Sequence, residues 1–286
     1  MSDEKKKHIK KPEWLKIRLP GGKNFAKVKE IVEGNKLHTI CSSGNCPNMG
    51  ECWNAGTATF MILGDICTRS CRFCATKTGR PLPVDVDEPL RVADSVKKMN
   101  LKHCVITSVD RDDLADGGSA HWAETIVQIK DKNPGVTIEV LIPDFKGITT
   151  DIDRVIDARP DIISHNLETV RRLTPAVRSA ASYERSLLVL RHIANRGTVA
   201  KSGIMLGLGE TKDEVLQTMD DLLGAGVSVM TIGQYLRPTL SHLPVEAYIT
   251  PEVFEEYRVA GIRKGFRHIE SRPLVRSSYH AEKHVK

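Results

Sequence analysis

From residue 57 onward the sequence repeats one unit: a short, nearly unbroken apolar run rich in β-branched residues, then an amphipathic stretch long enough to cross back over it. Six such runs can be read: TATFMILGD (57–65), HCVITSVD (103–110), VTIEVLIPD (136–144), DIISHNLE (161–168), AKSGIMLGLGE (200–210) and VSVMTIGQYL (227–236). EPLRVADSVKKM (88–99), HWAETIVQIKDK (121–132), YERSLLVLRHIANR (183–196) and TKDEVLQTMDDLLGAG (211–226) lie between them with helical periodicity. Strands without polar alternation are buried on both faces, and a helical crossover makes successive strands parallel. The pattern therefore predicts an α/β fold, a partial (β/α)6 TIM-type barrel, with a doubly wound sheet as the alternative. Either architecture puts chemistry beyond the carboxyl ends of the strands. Polar residues gather there: Asp65 and Cys67, then Thr107, Ser108 and Asp110, then Asp144, Asn166 with Glu168, the GLGE of 207–210, and Gln234.

Around this barrel, expected over 57–265, the chain divides into a basic arm (1–22), a helix and cysteine-rich loop (23–56) and a tail (266–286) that closes over the barrel mouth. The total of 286 residues suits one large barrel or two ordinary domains, and a chain of this size buries about 75% of its extended surface. The net charge is +6, and residues 1–30 account for all of it, with ten basic residues against four acidic ones. The rest is electrically balanced, which argues against a nucleic-acid binder coated in positive charge. No apolar run approaches the roughly 18 residues of a membrane span. The start, MSDEKKKHIKK, has neither the apolar core of a secretory signal nor the Arg/Ser bias of a transit peptide. A cytoplasmic location without membrane attachment is expected, where seven cysteines are ligands or catalytic groups before they are disulfides.

Six of those cysteines fall between residues 41 and 74, in two triplets separated by the first apolar run. Cys41, Cys46 and Cys52 form CxxxxCxxxxxC; Cys67, Cys71 and Cys74 form CxxxCxxC directly after the strand. Structural zinc takes a closed set of four ligands, commonly as two close pairs. Three thiolates per site leave one iron of a cubane cluster free for another ligand, so iron–sulfur ligation is the better reading. The seventh cysteine, Cys104, lies inside the second apolar run and reads as a small buried hydrophobe. His38, three residues before Cys41, offers a Cys3His zinc site as an alternative, though a polar residue near a helix end explains it equally.

CTRSCRFC (67–74), with Phe73 immediately before its last cysteine, resembles the signature of the radical S-adenosylmethionine superfamily. There the iron lacking a cysteine chelates the amino and carboxylate groups of S-adenosylmethionine, and one electron splits the sulfonium to release a 5′-deoxyadenosyl radical. CSSGNCPNMGECW (41–53), TSVDRDDLADGGS (107–119), SHNLETV (164–170) and VRSSYHAEKH (275–284) narrow the resemblance to the lipoyl synthase family, over nearly the whole chain from about residue 12. It implies insertion of two sulfur atoms at carbons 6 and 8 of an octanoyl chain amide-linked to a lysine of a lipoyl carrier domain, such as glycine-cleavage H protein or an E2 subunit. It implies two 4Fe-4S clusters: a radical-generating one on Cys67, Cys71 and Cys74, and an auxiliary one, sacrificed as sulfur donor, on Cys41, Cys46, Cys52 and a tail serine. That serine is carried over to Ser278, with the adjacent Ser277 as the other choice.

For S-adenosylmethionine the superfamily layout implies Thr107 and Ser108 at its amino end, Asn166 and Glu168 at its ribose and Arg178 at its carboxylate, a group that a guanidinium fork suits. The bland alternatives are a helix-opening role for Glu168 and a solvated loop charge for Arg178. Glycine backbone of the GLGE turn is expected beside adenine. The implied partners are the octanoylated carrier, an electron donor such as flavodoxin or ferredoxin, and an iron–sulfur carrier that rebuilds the auxiliary cluster. Within the superfamily the rival is a methylthiotransferase or biotin-synthase-like enzyme, which would lack the upstream triplet paired with RSSY. A zinc-stabilised nucleic-acid-binding protein is the rival from another class.

Overall fold

The computed structural model describes residues 10–17, 21–55, 57–279, 281 and 284. Most of the charged arm (Lys5, Lys6, Lys7 and Arg18 among it) lies outside them. All six expected runs are parallel strands: β1 (Thr59–Ile62), β2 (His103–Ser108), β3 (Thr137–Leu141), β4 (Ile162–Ser164), β5 (Val199–Leu206) and β6 (Val229–Gln234). They pair in sequence order, as expected when each strand is followed by a crossover that returns beside it. A seventh parallel strand, β7 (His268–Ser271), joins β6 with His268 opposite Val229 and Ser271 opposite Ile232. The first residues of the expected tail are thus part of the sheet. HIES carries a single large apolar residue, Ile269, so the strand left no apolar run to read. At the other edge, His38–Thr39 pairs antiparallel with β1 through Met61 and Phe60. The sheet ends at these two edges and is an open barrel among the described residues.

Helices cover its outside: α1 (Lys23–Gly34), α2 (Glu88–Met99), α3 (Ser119–Lys132), α4 (Thr149–Asp157), α5 (Tyr183–Asn195), α6 (Lys212–Gly224) and α7 (Pro251–Lys264). Their ends follow local chemistry. Thr211 and Glu214 form a reciprocal capping box on α6, and Gly265 closes α7 in the left-handed region at φ 117°. Val92, Val96, Trp122, Ile126, Val155, Leu190, Val215 and Phe254 face one continuous core with the strands. No helix among the described residues is long and apolar enough to cross a membrane. Beyond β7 the tail turns back into the barrel: Val275 and Ala281 are buried, and so is His284.

Candidate functional site

Five of the six clustered cysteines line a single cavity of ≈ 510 Å³ at the carboxyl ends of the strands; Cys52 stands behind it. The downstream triplet hangs on the loop after β1. A short parallel ladder, Ile66–Cys67 with Lys77–Thr78, closes that loop, and the Gly79 N–H donates to the Cys67 carbonyl at 3.0 Å. Backbone N–H groups of Arg69 and Asp110 donate to Cys67 Sγ at 3.4 and 3.3 Å. Between Cys67 and Cys71, the buried Arg69 guanidinium makes a two-point contact with Asp112 (2.6 and 2.8 Å), reaches Asp144 at 2.7 Å, and lies 3.4 Å from Asp110. These carboxylates follow β2 and β3, so one cation fastens the cysteine loop to two neighbouring strand ends. The sequence reading missed Arg69. Its signal was the acid-rich DRDD run at a buried strand end, which requires a cation.

The upstream triplet is built differently. Thr39 caps the short helix Ile40–Ser43, which carries Cys41, by accepting from the Ser42 N–H at 3.3 Å. The turn returns Cys46 so that its N–H donates to the Cys41 carbonyl at 3.0 Å. Cys52 sits on the helix Met49–Asn54, anchored by Trp53, whose ring centroid is 5.0 Å from that of Phe25 on α1. The tail ties down this loop: Asn48 Nδ2 donates to the Leu274 carbonyl at 2.7 Å, and the Tyr279 hydroxyl to Glu51 at 3.3 Å. Ser277 and Ser278 both line the cavity. Ser277 is engaged, its hydroxyl accepting from Asn166 Nδ2 at 2.6 Å and its carbonyl from Lys201 Nζ at 2.7 Å. The Ser278 side chain has no hydrogen bond to the described residues. Arg276, also unforeseen, lies half-buried in the same wall; burial lowers its pKa, while Cys46 and Glu168 act in the other direction.

Thr107, Ser108, Asn166, Glu168 and Arg178 line the same cavity. Thr107 donates to the Leu141 carbonyl at 3.2 Å. The buried Ser108 hydroxyl and Asn166 Oδ1 have no protein partner, so both can receive a polar ligand. Glu168 opens no helix: it bridges to Ile204 with φ 66°, a strained left-handed conformation held because its N–H donates to the Gly203 carbonyl at 3.0 Å and its carbonyl accepts from Met205 at 2.8 Å. Burial raises its carboxyl pKa, partly offset by Arg178. Arg178 is buried rather than solvated, donating Nη1 to the Asn166 and Leu167 carbonyls at 2.8 and 3.1 Å. The GLGE turn does not line the cavity. Gly207 packs on Gln234 and the Ala247 carbonyl, and Glu210 accepts from the Gly207 and Leu208 N–H groups, while Gly203 supplies glycine backbone to the wall instead. Cys104 is a fully buried core residue, as read, and His38 is taken up in the edge strand.

The donor chemistry suits iron–sulfur clusters. Burial pushes the Cys52 and Cys71 thiols up to about 12 and Cys67 to about 11, and raises Cys41 and Cys46 as well. A multiply charged metal centre reverses that penalty by binding the thiolate. Among the described residues, the one group of three or more His, Cys, Asp or Glu ligand atoms within 4.8 Å of one another is His268, Glu270 and His284; neither cysteine triplet is drawn in so tightly. A single zinc at about 2.3 Å per sulfur would hold its thiolates about 3.8 Å apart. The N–H donors aimed at the Cys67 sulfur are a usual means of tuning an iron–sulfur cluster.

Comparison with known proteins agrees with this geometry. Residues 61–222 match the radical SAM superfamily, and residues 1–46 match the N-terminal domain of lipoyl synthase of that family. Lipoyl synthase of Parabacteroides distasonis is 66% identical over 278 residues, covering 97% of this chain and 99% of that one. The chain belongs to the lipoyl synthase family. Family members from Porphyromonas gingivalis (67% over 279 residues, 97% of this chain and 99% of that one) and Flavobacterium johnsoniae (61% over 276 residues, 96% of each) are similar along their full lengths too. Membership brings the superfamily's 4Fe-4S cluster and S-adenosylmethionine. Solved structures share the fold: methylornithine synthase (TM-score 0.56, 12% identity, 86% of this chain and 75% of that one) and HydG, a maturase of the [FeFe]-hydrogenase (TM-score 0.55, 13% identity, 92% and 74%).

Proposed function

We propose that this chain inserts sulfur at carbons 6 and 8 of an octanoyl group amide-linked to a lysine of a lipoyl carrier domain, glycine-cleavage H protein or an E2 subunit. The observation that carries this is the convergence of five of the six clustered cysteines and a serine-bearing tail on one cavity. In this reading Cys67, Cys71 and Cys74 hold the radical-generating cluster, and Cys41, Cys46, Cys52 and Ser278 hold an auxiliary one. When bound, the first supplies the electron that releases a 5′-deoxyadenosyl radical from S-adenosylmethionine, and the second supplies the sulfur. The protein's part is to position and to exclude water. Arg69 fixes the first cysteine loop against two strand ends. Thr107, Ser108, Asn166, Glu168 and Arg178 present donors and acceptors to the cofactor's polar groups. Asn166 and Lys201 hold Ser277, which leaves the next residue, Ser278, turned to the cavity with a hard oxygen among soft thiolates.

Flavodoxin or ferredoxin as electron donor, an iron–sulfur carrier that rebuilds the auxiliary cluster, and a reducing cytoplasm complete the reading, and the basic arm is assigned to steering an acidic carrier domain to the mouth. Two measurements test it. Anaerobic reconstitution should give about eight irons per chain; fewer than about four, with zinc held by thiolates, would overturn the two-cluster assignment. Ser278→Ala should still cleave S-adenosylmethionine while forming no dithiolane, and normal product from that variant would move the ligand to Ser277 or away from the tail.

A further inference from the structure

His284 of the tail lies beside two buried charges: Lys201, which also holds the Ser277 carbonyl, and Glu139, which reaches the cavity wall. Lys201 and Glu139, both fully buried, face each other inside the barrel with Nζ 2.6 Å from Glu139 Oε1, which also accepts from Ser164 at 3.0 Å. Lys201 Nζ lies 3.0 Å from His284 Nδ1, and Glu139 Oε2 lies 4.0 Å from the same nitrogen. Glu139 Oε2, His284 Nε2 and His268 Nε2 are buried without a hydrogen-bond partner. Three orphaned polar atoms so close together need an explanation, because each unsatisfied group is costly in a dry interior. On β7, His268 and Glu270 are two residues apart and point to the same face. His268 Nε2 is 3.7 Å from Glu270 Oε2, and its ring centroid is 4.7 Å from that of His284, which is fully buried. The three residues' ligand atoms all lie within 4.8 Å of one another.

We propose that His268, Glu270 and His284 form a binding site for a divalent first-row transition ion of the zinc type, which clips the C-terminal tail onto β7. Two imidazoles and a carboxylate are a usual zinc donor set with a fourth position left for water. Ligation through His284 Nε2 puts the ring proton on Nδ1, which must then turn from Lys201 Nζ at 3.0 Å toward Glu139 Oε2, at 4.0 Å beyond hydrogen-bond reach until the ion binds, while the Nε2 lone pairs of His284 and His268 go to the ion. This is the carboxylate–histidine–metal arrangement that fixes ring orientation in metal sites. The opposite tautomer, with Lys201 donating to Nδ1, leaves both the Nε2–H and Glu139 Oε2 unsatisfied. Lys201 keeps Glu139 Oε1 and the Ser277 carbonyl in either case. The ion would fasten the segment that carries Ser277 and Ser278, and it is separate from the cysteine sites in both place and donor type.

The full-length protein, with its clusters reconstituted anaerobically, is given one equivalent of zinc and desalted. The expected result is about one zinc retained per chain, with an X-ray absorption first shell of nitrogen and oxygen including two imidazoles. His284→Ala should weaken retention at least tenfold, the scale of losing one metal-site contact. No retained zinc in the wild-type protein, a shell containing sulfur, or equal retention in His284→Ala would overturn the proposal. If His284→Ala does not fold, the wild-type zinc shell decides alone.

Discussion

Arg69 is a single side chain on which the cysteine loop depends. Its neighbour Asp144 is fully buried; burial alone would raise the carboxyl's pKa, but the Arg69 guanidinium brings it down to about 2. Arg69→Met leaves that carboxylate to Arg185 alone, 3.2 Å away, and should cost less than the ~3–5 kcal/mol of a wholly unpaired buried charge, read by denaturant unfolding. Arg69→Lys, which keeps the charge and loses the two-point contact with Asp112, should fall between. The pH dependence has a definite sign. Asp144 titrates lower in the folded state than in the unfolded chain, so its contribution is present above about pH 4 and lost as pH falls toward 2, at most about 2–3 kcal/mol. Asp110, on the same guanidinium, is shifted upward by burial, so its contribution grows as pH falls to its unfolded pKa near 4 and adds little slope in the range below, where Asp144's is lost. The stability gap between wild type and Arg69→Met should narrow on acidification from pH 5 to 2, and a widening gap would contradict the assignment.

At the scale of elements, the tail and β6 are fitted to each other. A Cβ on Gly233 would stand 2.1 Å from the Val275 carbonyl oxygen, yet the Gly233 backbone is ordinary strand that alanine can adopt. The sheet therefore tolerates Gly233→Ala, and the tail must move. We expect a cost of about 1–3 kcal/mol and faster proteolysis after residue 272, measured by limited digestion, while β6 itself stays protected. The six strands were legible because burial on both faces makes them nearly continuous apolar runs. β7 was not, since its His268 and Glu270 face the tail, a segment whose placement has no local sequence signal.

At the scale of the molecule, all the net charge lies in the first thirty residues. Only part of that stretch is described, with Lys11 and Ile17 at the cavity. Deleting residues 1–11 should slow association with an acidic lipoyl domain several-fold at low ionic strength, and stopped-flow rates for the two forms should converge as salt shortens the screening length. The proposed sacrifice of one auxiliary cluster per chain limits product to about one lipoyl group per chain unless a cluster carrier is supplied. Many turnovers without any sulfur source would refute it.

Cysteine spacing, strand periodicity and the RSSY tail were enough to read the fold class and the family, because each is a local pattern whose chemistry needs those residues at those intervals. Contacts between segments far apart in the chain were decided only by the tertiary structure. Arg69 meets Asp144 from 75 residues away, Asn48 meets the Leu274 carbonyl across 226, and Lys201 finds the tail across 76. Such pairings depend on which strand ends adjoin and on which buried charges lack a partner. Those are properties of the packed barrel, and no stretch of sequence carries them by itself.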